Sequence, residues 1–181
     1  MPEPLVKCSR VWAMPHKYTF QVKPLREIVE RHIDGSRLWL DPFAGYHSPV
    51  KRKFQNDLNP ASPAKFHLEA AEFLQRDDIV AYAPFDGAIF DPPYSLTQVS
   101  RSYIGMGLKF KGKENPTGGF PVVRDLLANT IRPGGVCISF GWNTVGLGKG
   151  RGFEPVEYMI CSHGGNRNDT LVAVERKVRG E

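Results

Sequence analysis

The sequence predicts an α/β fold whose sheet is mostly parallel and ends in a C-terminal antiparallel β-hairpin. Short apolar runs alternate with segments of helical apolar spacing along most of the chain. Two alternating segments around a glycine- and asparagine-rich turn follow near the end. With 181 residues, the chain is long enough for a single domain, residues 1–181, with its own hydrophobic core.

The first half of the chain supplies a helix, a strand and several shorter elements. The segment KPLREIVERHI has apolar residues at helical spacing, and Asp34-Gly35 ends the predicted helix. An apolar run in RLWLDPFAG stops at Asp41, as a buried strand does when it ends in a functional loop. KRKFQND and AKFHLE are predicted as two further short strands, and AAEFLQR as a short helix.

The second half begins with the strongest strand prediction, FDGAIF, which ends at Asp91. A long irregular stretch is predicted from Ser95 to about Gly119, followed by a helix in PVVRDLLANTI that RPGG breaks before the strand VCISFGW. FEPVEYMIC and TLVAVERKV are expected to pair around SHGGNRND. Ligands of such sheets bind at the carboxyl ends of strands, where Asp41 and Asp91 both fall.

The charge distribution favours a polyanionic partner. The formal net charge is +5 and the pI is about 9.2. No acidic residue lies between Asp91 and Glu114, and a second acid-free stretch runs from Leu126 to Phe153. The first stretch predicts a mobile substrate-contacting loop over residues 95–120, with four basic side chains: Arg101, Lys109, Lys111 and Lys113. The second carries Arg132, Lys149 and Arg151.

Other sites and locations are not favoured by the sequence. The three cysteines and the histidines have no zinc-binding spacing and form no disulfide framework, so we predict no metal site and a reducing, cytoplasmic location. The chain has no apolar run long enough for a signal peptide or a membrane span, so no membrane partner is expected.

The tetrapeptide Asp91-Pro92-Pro93-Tyr94 is the sharpest chemical signal in the chain. Its carboxylate follows a buried strand, and the two prolines fix the backbone, so that the Pro92 carbonyl is held in one direction. A rigid carboxylate beside a rigid carbonyl offers two acceptors to an NH₂ group, and Tyr94 offers an aromatic face on which a base can stack. This arrangement suits an amino nitrogen that must be aimed at an electrophile.

The tetrapeptide resembles motif IV of the amino-methyltransferases, which methylate adenine N6 or cytosine N4. Further motifs of that family have counterparts in order along residues 15–95. The segment Asp41-Pro42-Phe43-Ala44-Gly45 resembles motif I, the loop around the methionine part of S-adenosylmethionine. Asp57 is similar to the acid that holds the cofactor's ribose, and Glu69-Ala70 to the acid and small residue beside its adenine. Thr19-Phe20 and Lys23-Pro24 resemble motif X, which closes the cofactor pocket.

This resemblance implies a Rossmann-like methyltransferase fold and transfer of a methyl group from S-adenosylmethionine to an exocyclic amine of a nucleic-acid base. The target base would be flipped out of its stack, with Tyr94 as the stacking surface. Adenine N6 in DNA is favoured over RNA, in a compact enzyme of a phage or mobile element. Catalytic roles fall on Asp91, Pro92, Pro93 and Tyr94.

Two departures from the family pattern bear on these expectations. Motif I continues with Tyr46-His47-Ser48-Pro49 instead of a second small residue, so the cofactor loop is bulkier than usual. We also expect no separate target-recognition domain within these 181 residues. Specificity is therefore expected to be low, or to come from the 95–120 loop, from a partner chain or from a homodimer.

Several alternatives stay open from the sequence. The substrate could be RNA or cytosine N4, although enzymes for the latter more often carry serine at the position of Asp91. A non-catalytic binding subunit is a further alternative, whereas no G-x-G-x-x-G supports a nucleotide-binding oxidoreductase. Structural roles also compete at single positions: Asp41 and Asp57 as turn caps, Phe20 and Phe43 as core residues, and Glu69 as a helix N-terminal acid.

Overall fold

The computed structural model describes residues 6–33, 38–109, 120–144 and 146–178. Six strands form one mixed sheet in the order β1-β5-β6-β4-β3-β2. The strands are β1 (Lys7–Trp12), β2 (Trp39–Leu40), β3 (Phe85–Phe90), β4 (Ile131–Gly141), β5 (Phe153–Ser162) and β6 (Thr170–Lys177). The helices are α1 (Lys23–Glu30), α2 (Ala70–Leu74), α3 (Asp77–Val80), α4 (Leu96–Gly105) and α5 (Pro121–Thr130).

The sheet has a parallel core and an antiparallel C-terminal hairpin, which confirms the predicted fold class. β2, β3 and β4 are parallel neighbours. β6 runs antiparallel to both β4 and β5, so that β5 points the same way as the parallel core. The carboxyl ends of five strands therefore lie along one edge, together with the start of β6, and this edge carries the candidate site.

Apolar faces of the helices build the core against the sheet. α1 buries Leu25, Ile28 and Val29, with Pro24 in its first turn where proline costs no hydrogen bond. α5 buries Val123, Leu127 and Ala128. These side chains join the fully buried strand residues in one continuous hydrophobic cluster, which fixes both helices relative to the sheet.

The predictions of strands in KRKFQND and AKFHLE are wrong, because neither segment forms an extended strand. KRKFQND contains a 3-10 helix at Arg52–Phe54, and it contributes only the isolated parallel bridges Asp41↔Gln55 and Asn56↔Phe66. Buried amide side chains add hydrogen bonds beside these isolated bridges. The Gln55 side chain donates to the Val50 carbonyl at 2.6 Å, and Asn56 donates to the Leu68 carbonyl at 2.9 Å. The intervening prolines could not have donated to a ladder.

Two other departures concern β1 and β4. The sequence indicated no strand before α1, yet β1 pairs in parallel with β5 and forms the edge of the sheet. The segment RPGG was expected to separate α5 from the next strand, but β4 already begins at Ile131 and pairs there with Phe85. The register then shifts between Phe85 and Gly87, which accommodates the proline and glycines within one strand.

Candidate functional site

A cleft of about 1010 Å³ lies at the carboxyl edge of the sheet. It is bounded by the 3-10 helix Thr19–Gln21, the loop after β2, the start of α2, the loop after β3, and α4. The sequence-predicted site residues that line it are Thr19, Pro42, Phe43, Gly45, Asp57, Glu69, Ala70, Asp91, Pro92, Pro93, Tyr94 and Arg101. The fold thus gathers the four predicted catalytic residues and seven of the predicted cofactor residues in one cavity.

The remaining predicted residues lie outside the lining of the cleft. Phe20 is buried and packs edge-on against Phe140, and Ala44 is buried behind its loop. Lys23 and Pro24 are the first two residues of α1, and Lys23 pairs with Glu27 at 3.7 Å on the exposed side of that helix. Asp41 is fully buried, and Lys109 is exposed beyond α4. Lys111 and Lys113 lie outside the described residues.

The predicted irregular stretch from Ser95 to Gly119 is wrong over residues 96–105, which form α4. The helix has a conventional start, because the Ser95 hydroxyl accepts from the Gln98 amide at 3.2 Å. Val99 is buried, while Arg101 lies on the exposed face that reaches the cleft. Ser95 directly after the tetrapeptide was the sequence signal for this helix.

Asp41 holds the loop after β2 from behind. Its carboxylate accepts from the Phe43 amide at 3.0 Å and from the Ser48 hydroxyl at 2.7 Å. Burial raises the pKa of Asp41 to about 7, although these two hydrogen bonds oppose the rise. Ser48, in the segment that departs from the family pattern, therefore supports the loop that carries Phe43 to the cleft.

We expect Asp41→Ala to lower the free energy of unfolding by about 1–3 kcal/mol, because the Phe43 amide and the Ser48 hydroxyl lose their buried acceptor. Urea denaturation at pH 7 measures this loss. Ser48→Ala removes one of the two hydrogen bonds and should cost less. A fully stable Asp41→Ala protein would contradict this supporting role.

The pKa of Asp41 also gives this contribution a pH dependence. The folded state binds the carboxyl proton more tightly than the unfolded chain, whose ordinary pKa is 3.8. The contribution of this bound proton to the free energy of unfolding is complete below about pH 4 and declines as the pH rises towards 7. As the pH rises from about 4 towards 7, the parent should therefore lose stability relative to Asp41→Asn, whose amide does not titrate.

Two acidic residues stand at one end of the cleft. Asp57 accepts from the Gly45 amide at 2.9 Å and from the Asn59 amide at 2.8 Å, and so joins the loops after β2 and after the 3-10 helix Arg52–Phe54. Glu69 accepts from the Tyr103 hydroxyl of α4 at 2.6 Å. Gly45 has a φ of +55°, a conformation that favours glycine at this turn.

Apolar side chains wall the same end. Phe43 packs edge-on against Phe120, with ring centroids 5.1 Å apart, and Leu68 and Ala70 also line the cavity. Phe43 thus belongs both to the hydrophobic cluster and to the wall of the cleft. Acids beside flat apolar surfaces suit a ligand that combines hydroxyl groups with a planar ring.

The tetrapeptide places Asp91 in the lining of the cleft. The Tyr94 hydroxyl donates to Asp91 at 2.7 Å, and the Thr19 hydroxyl lies within hydrogen-bonding reach of both side chains. The Tyr94 amide donates to the Gln98 side chain at 2.5 Å. This hydrogen bond fixes the end of the tetrapeptide against the first turn of α4. Pro92 is buried and lines the cavity next to this cluster.

Burial controls the protonation of these two groups. It raises the pKa of Asp91 to about 6, while the hydrogen bonds from Thr19 and Tyr94 favour the carboxylate and limit the rise. Burial and the neighbouring carboxylate raise the pKa of the Tyr94 phenol well above its ordinary value. At neutral pH Asp91 is therefore mainly an acceptor and Tyr94 a neutral donor.

Two further residues, one in the cleft and one beside it, carried no functional signal in the sequence. Trp142, after β4, packs edge-on against Tyr94 with ring centroids 5.8 Å apart. His163 lines the cleft beside Thr170 at the hairpin turn, and its ring bonds to the Ala13 carbonyl and the Thr170 hydroxyl, each at 2.9 Å. Since a carbonyl only accepts, Nδ1 of His163 carries the proton.

The second basic stretch lies away from the cleft. Lys149–Arg151 is a 3-10 helix that leads directly into β5, at the sheet edge opposite the carboxyl end of β3. Arg151 donates to Asp125 at 2.6 Å. This stretch is therefore a surface of its own and does not border Asp91.

The chain matches no protein-family model and no curated protein sequence. Its fold is similar to the crystal structure of the N-methyltransferase NodS from Bradyrhizobium japonicum WM9 in complex with S-adenosyl-L-homocysteine, at 12% identity and a TM-score of 0.44, covering 96% of this chain and 79% of that one. A second NodS crystal structure gives 12% identity, a TM-score of 0.42, and coverage of 97% and 88%. Within the described residues, no helix has the length and apolarity to cross a membrane.

Proposed function

We propose that this chain is an S-adenosylmethionine-dependent methyltransferase that acts on the exocyclic amino nitrogen of a nucleic-acid base, adenine N6 in DNA being the favoured target. One observation carries the proposal: Asp91, Pro92 and Tyr94 lie in the same cleft as Asp57 and Glu69. An acceptor pair for an amine and an acid-lined nucleoside pocket therefore share one cavity.

The residues at the acidic end fit the proposed cofactor. Asp57 would hold the ribose hydroxyls, and Phe43, Leu68 and Phe120 offer apolar surface to the adenine ring. The cleft of about 1010 Å³ is at the upper end of ordinary ligand pockets, which leaves room for a base beside the cofactor. When bound, S-adenosylmethionine supplies an electrophilic methyl group on a sulfonium.

The chain's own residues position the amine. An exocyclic amine conjugated with its ring is a poor nucleophile, and hydrogen bonds from its protons to Asp91 and to the Pro92 carbonyl favour a more tetrahedral nitrogen. Tyr94, with Trp142 packed edge-on against it, would provide a wall for a flipped-out base. The site thus works through orientation and hydrogen bonding more than through proton transfer.

Asp91 must exchange partners during this cycle. In the structure its carboxylate accepts from Tyr94, at the side chain that the substrate amine would approach. The phenol therefore occupies a hydrogen-bonding position that the amine would share or take over. Because Thr19 contacts both Asp91 and Tyr94, it can keep the carboxylate in place while the phenol moves.

Asp57→Ala is expected to weaken S-adenosylhomocysteine binding at least tenfold, because the ribose loses its carboxylate and the Gly45 amide loses its acceptor. Isothermal titration calorimetry measures the affinity. Asp77→Ala, on the short helix α3 and outside the cleft lining, is the matched control and should bind like the parent. A folded Asp57→Ala protein with parental affinity would remove the cofactor assignment.

The polymer is identified by a transfer experiment. The protein is incubated with methyl-labelled S-adenosylmethionine and separate pools of duplex DNA, single-stranded DNA and RNA. We expect label in DNA. Label in RNA alone would replace DNA by RNA as the substrate, and cofactor binding without label in any pool would contradict the proposed activity.

A further inference from the structure

An exposed aromatic residue and several cations surround the hairpin turn at the carboxyl edge of the sheet. Trp12, the last residue of β1, is 64% exposed. Its indole nitrogen lies 3.4 Å from the position that a Cβ on Gly164 would take, so the ring rests beside the turn between β5 and β6. We call Arg10, Trp12, Lys17 and Arg167 the edge surface.

The edge surface is positively charged. The Arg10 side chain is exposed and donates to the Ser162 hydroxyl at 3.0 Å, and the Lys17 ammonium lies 4.7 Å from the centre of the Tyr18 ring. No acidic residue occurs in residues 6–26. Asp169 is the only acid in residues 162–170, and it accepts from Ser162 at 3.2 Å.

This surface continues into the cleft. The His163 ring ties the hairpin turn to the Ala13 carbonyl, directly after Trp12. Lys17 and His163 both line the cavity that contains Asp91. Since β1 and β3 are separated by four strand spacings in the sheet order, the edge surface and the catalytic tetrapeptide are about 19 Å apart. A few nucleotides span that distance.

We propose that the edge surface binds unpaired nucleotides that flank the target base, with Trp12 as the stacking platform and Arg10, Lys17 and Arg167 facing phosphates. This inference rests on the proposed function. Bases within a duplex have both faces covered by their neighbours, so an exposed indole can stack only on an unpaired or terminal base. The surrounding cations complement the phosphates of that strand.

The test measures fluorescence anisotropy of a labelled 20-nucleotide single strand. Trp12→Leu keeps apolar area but removes the aromatic face, and it should weaken binding by about 5- to 150-fold, the equivalent of about 1–3 kcal/mol for one stacked base. Trp12→Phe keeps a face and should restore most of the affinity. Unfolding temperatures of both variants should match the parent, since this side chain is largely exposed.

The phosphate contacts have a separate readout. Lys17→Ala should reduce the slope of log affinity against log salt by about 0.7 for a single strand. Lys149→Ala, an exposed lysine at the opposite sheet edge, is the matched control and should leave the slope unchanged. Parental affinity in Trp12→Leu, or equal slopes in the two lysine variants, would overturn the edge surface.

The same samples separate this inference from the proposed function. Methyl transfer by the parent together with unaltered strand binding by Trp12→Leu would reject the edge surface and leave the methyltransferase intact. Strand binding that depends on Trp12, without methyl transfer to any nucleic acid, would reject the methyltransferase and leave the edge surface intact. A parent that binds no single strand would overturn the edge surface.

Discussion

Asp91→Asn should lose methyl transfer by at least about 10²-fold, comparable to the loss of one preorganised polar group from an active site. The amide keeps the size of the carboxylate but replaces one acceptor oxygen by a donor, which faces the amine proton that it should receive. The Tyr94 hydroxyl, now 2.7 Å from a carboxylate oxygen, retains at most one acceptor there. Single-turnover assays with saturating cofactor measure the loss.

Two controls make the Asp91→Asn result specific. S-adenosylhomocysteine affinity should remain within about threefold of the parent, since Asp57 and Glu69 are unchanged. In the parent, turnover should decline as the pH falls through about 6, because protonation converts the Asp91 acceptor into a donor. Near-parental turnover by Asp91→Asn would contradict the mechanism.

Tyr94→Ala should lower turnover by about 5- to 150-fold, since a stacked base is worth about 1–3 kcal/mol. Truncation removes the ring that packs edge-on against Trp142 and leaves the flipped base without this wall. Tyr94→Phe is the matched control because it keeps the ring and removes only the phenol. Initial rates over a range of substrate concentrations separate binding from turnover.

The phenylalanine variant also reports on the hydrogen bond to Asp91. That bond favours the carboxylate, so its loss should move the acidic limb of the pH–rate profile to higher pH. At pH 8 Tyr94→Phe should retain most of the parental rate. Equal rates for the alanine and phenylalanine variants would show that the phenol, and not the ring face, is what the reaction needs.

The sequence predicted the framework of the site because that framework depends on local patterns. A carboxylate after a buried strand lies at the carboxyl edge of a parallel sheet, so Asp91 could be placed at the cleft from the chain alone. Asp57 and Glu69, which the family resemblance assigned to the cofactor, line the same cleft. The alternating segments around SHGGNRND likewise predicted the β5–β6 hairpin.

What the sequence did not reveal depends on contacts between distant segments. Asp41 was expected at the cofactor, yet its position behind the loop follows from the bond with Ser48, seven residues away. His163 reaches the cleft through the β5–β6 hairpin, and Trp142 contacts Tyr94 because β4 and β3 are neighbours in the sheet. Strand prediction also failed at Gln55 and Asn56, which form only isolated backbone bridges and whose side chains bond to the carbonyls of neighbouring loops.

The turn after β3, which carries Tyr94, is hydrogen-bonded to α4, the helix that borders the cleft. Gln98 accepts from the Tyr94 amide, and Tyr103 reaches Glu69 from the same helix. α4 therefore contacts both the tetrapeptide and the acidic end of the cavity. Displacement of this helix would alter the positions of Tyr94 and Glu69 together, which would couple the two halves of the proposed reaction.

The most direct measurement of the central claim is the identity of the methylated nucleoside. DNA treated with the protein and isotope-labelled S-adenosylmethionine is digested to nucleosides and analysed by mass spectrometry, with Asp91→Asn as the blank. The account predicts label in N6-methyl-2′-deoxyadenosine for the parent and none in the blank. Label on a ring carbon, or equal labelling with Asp91→Asn, would contradict it.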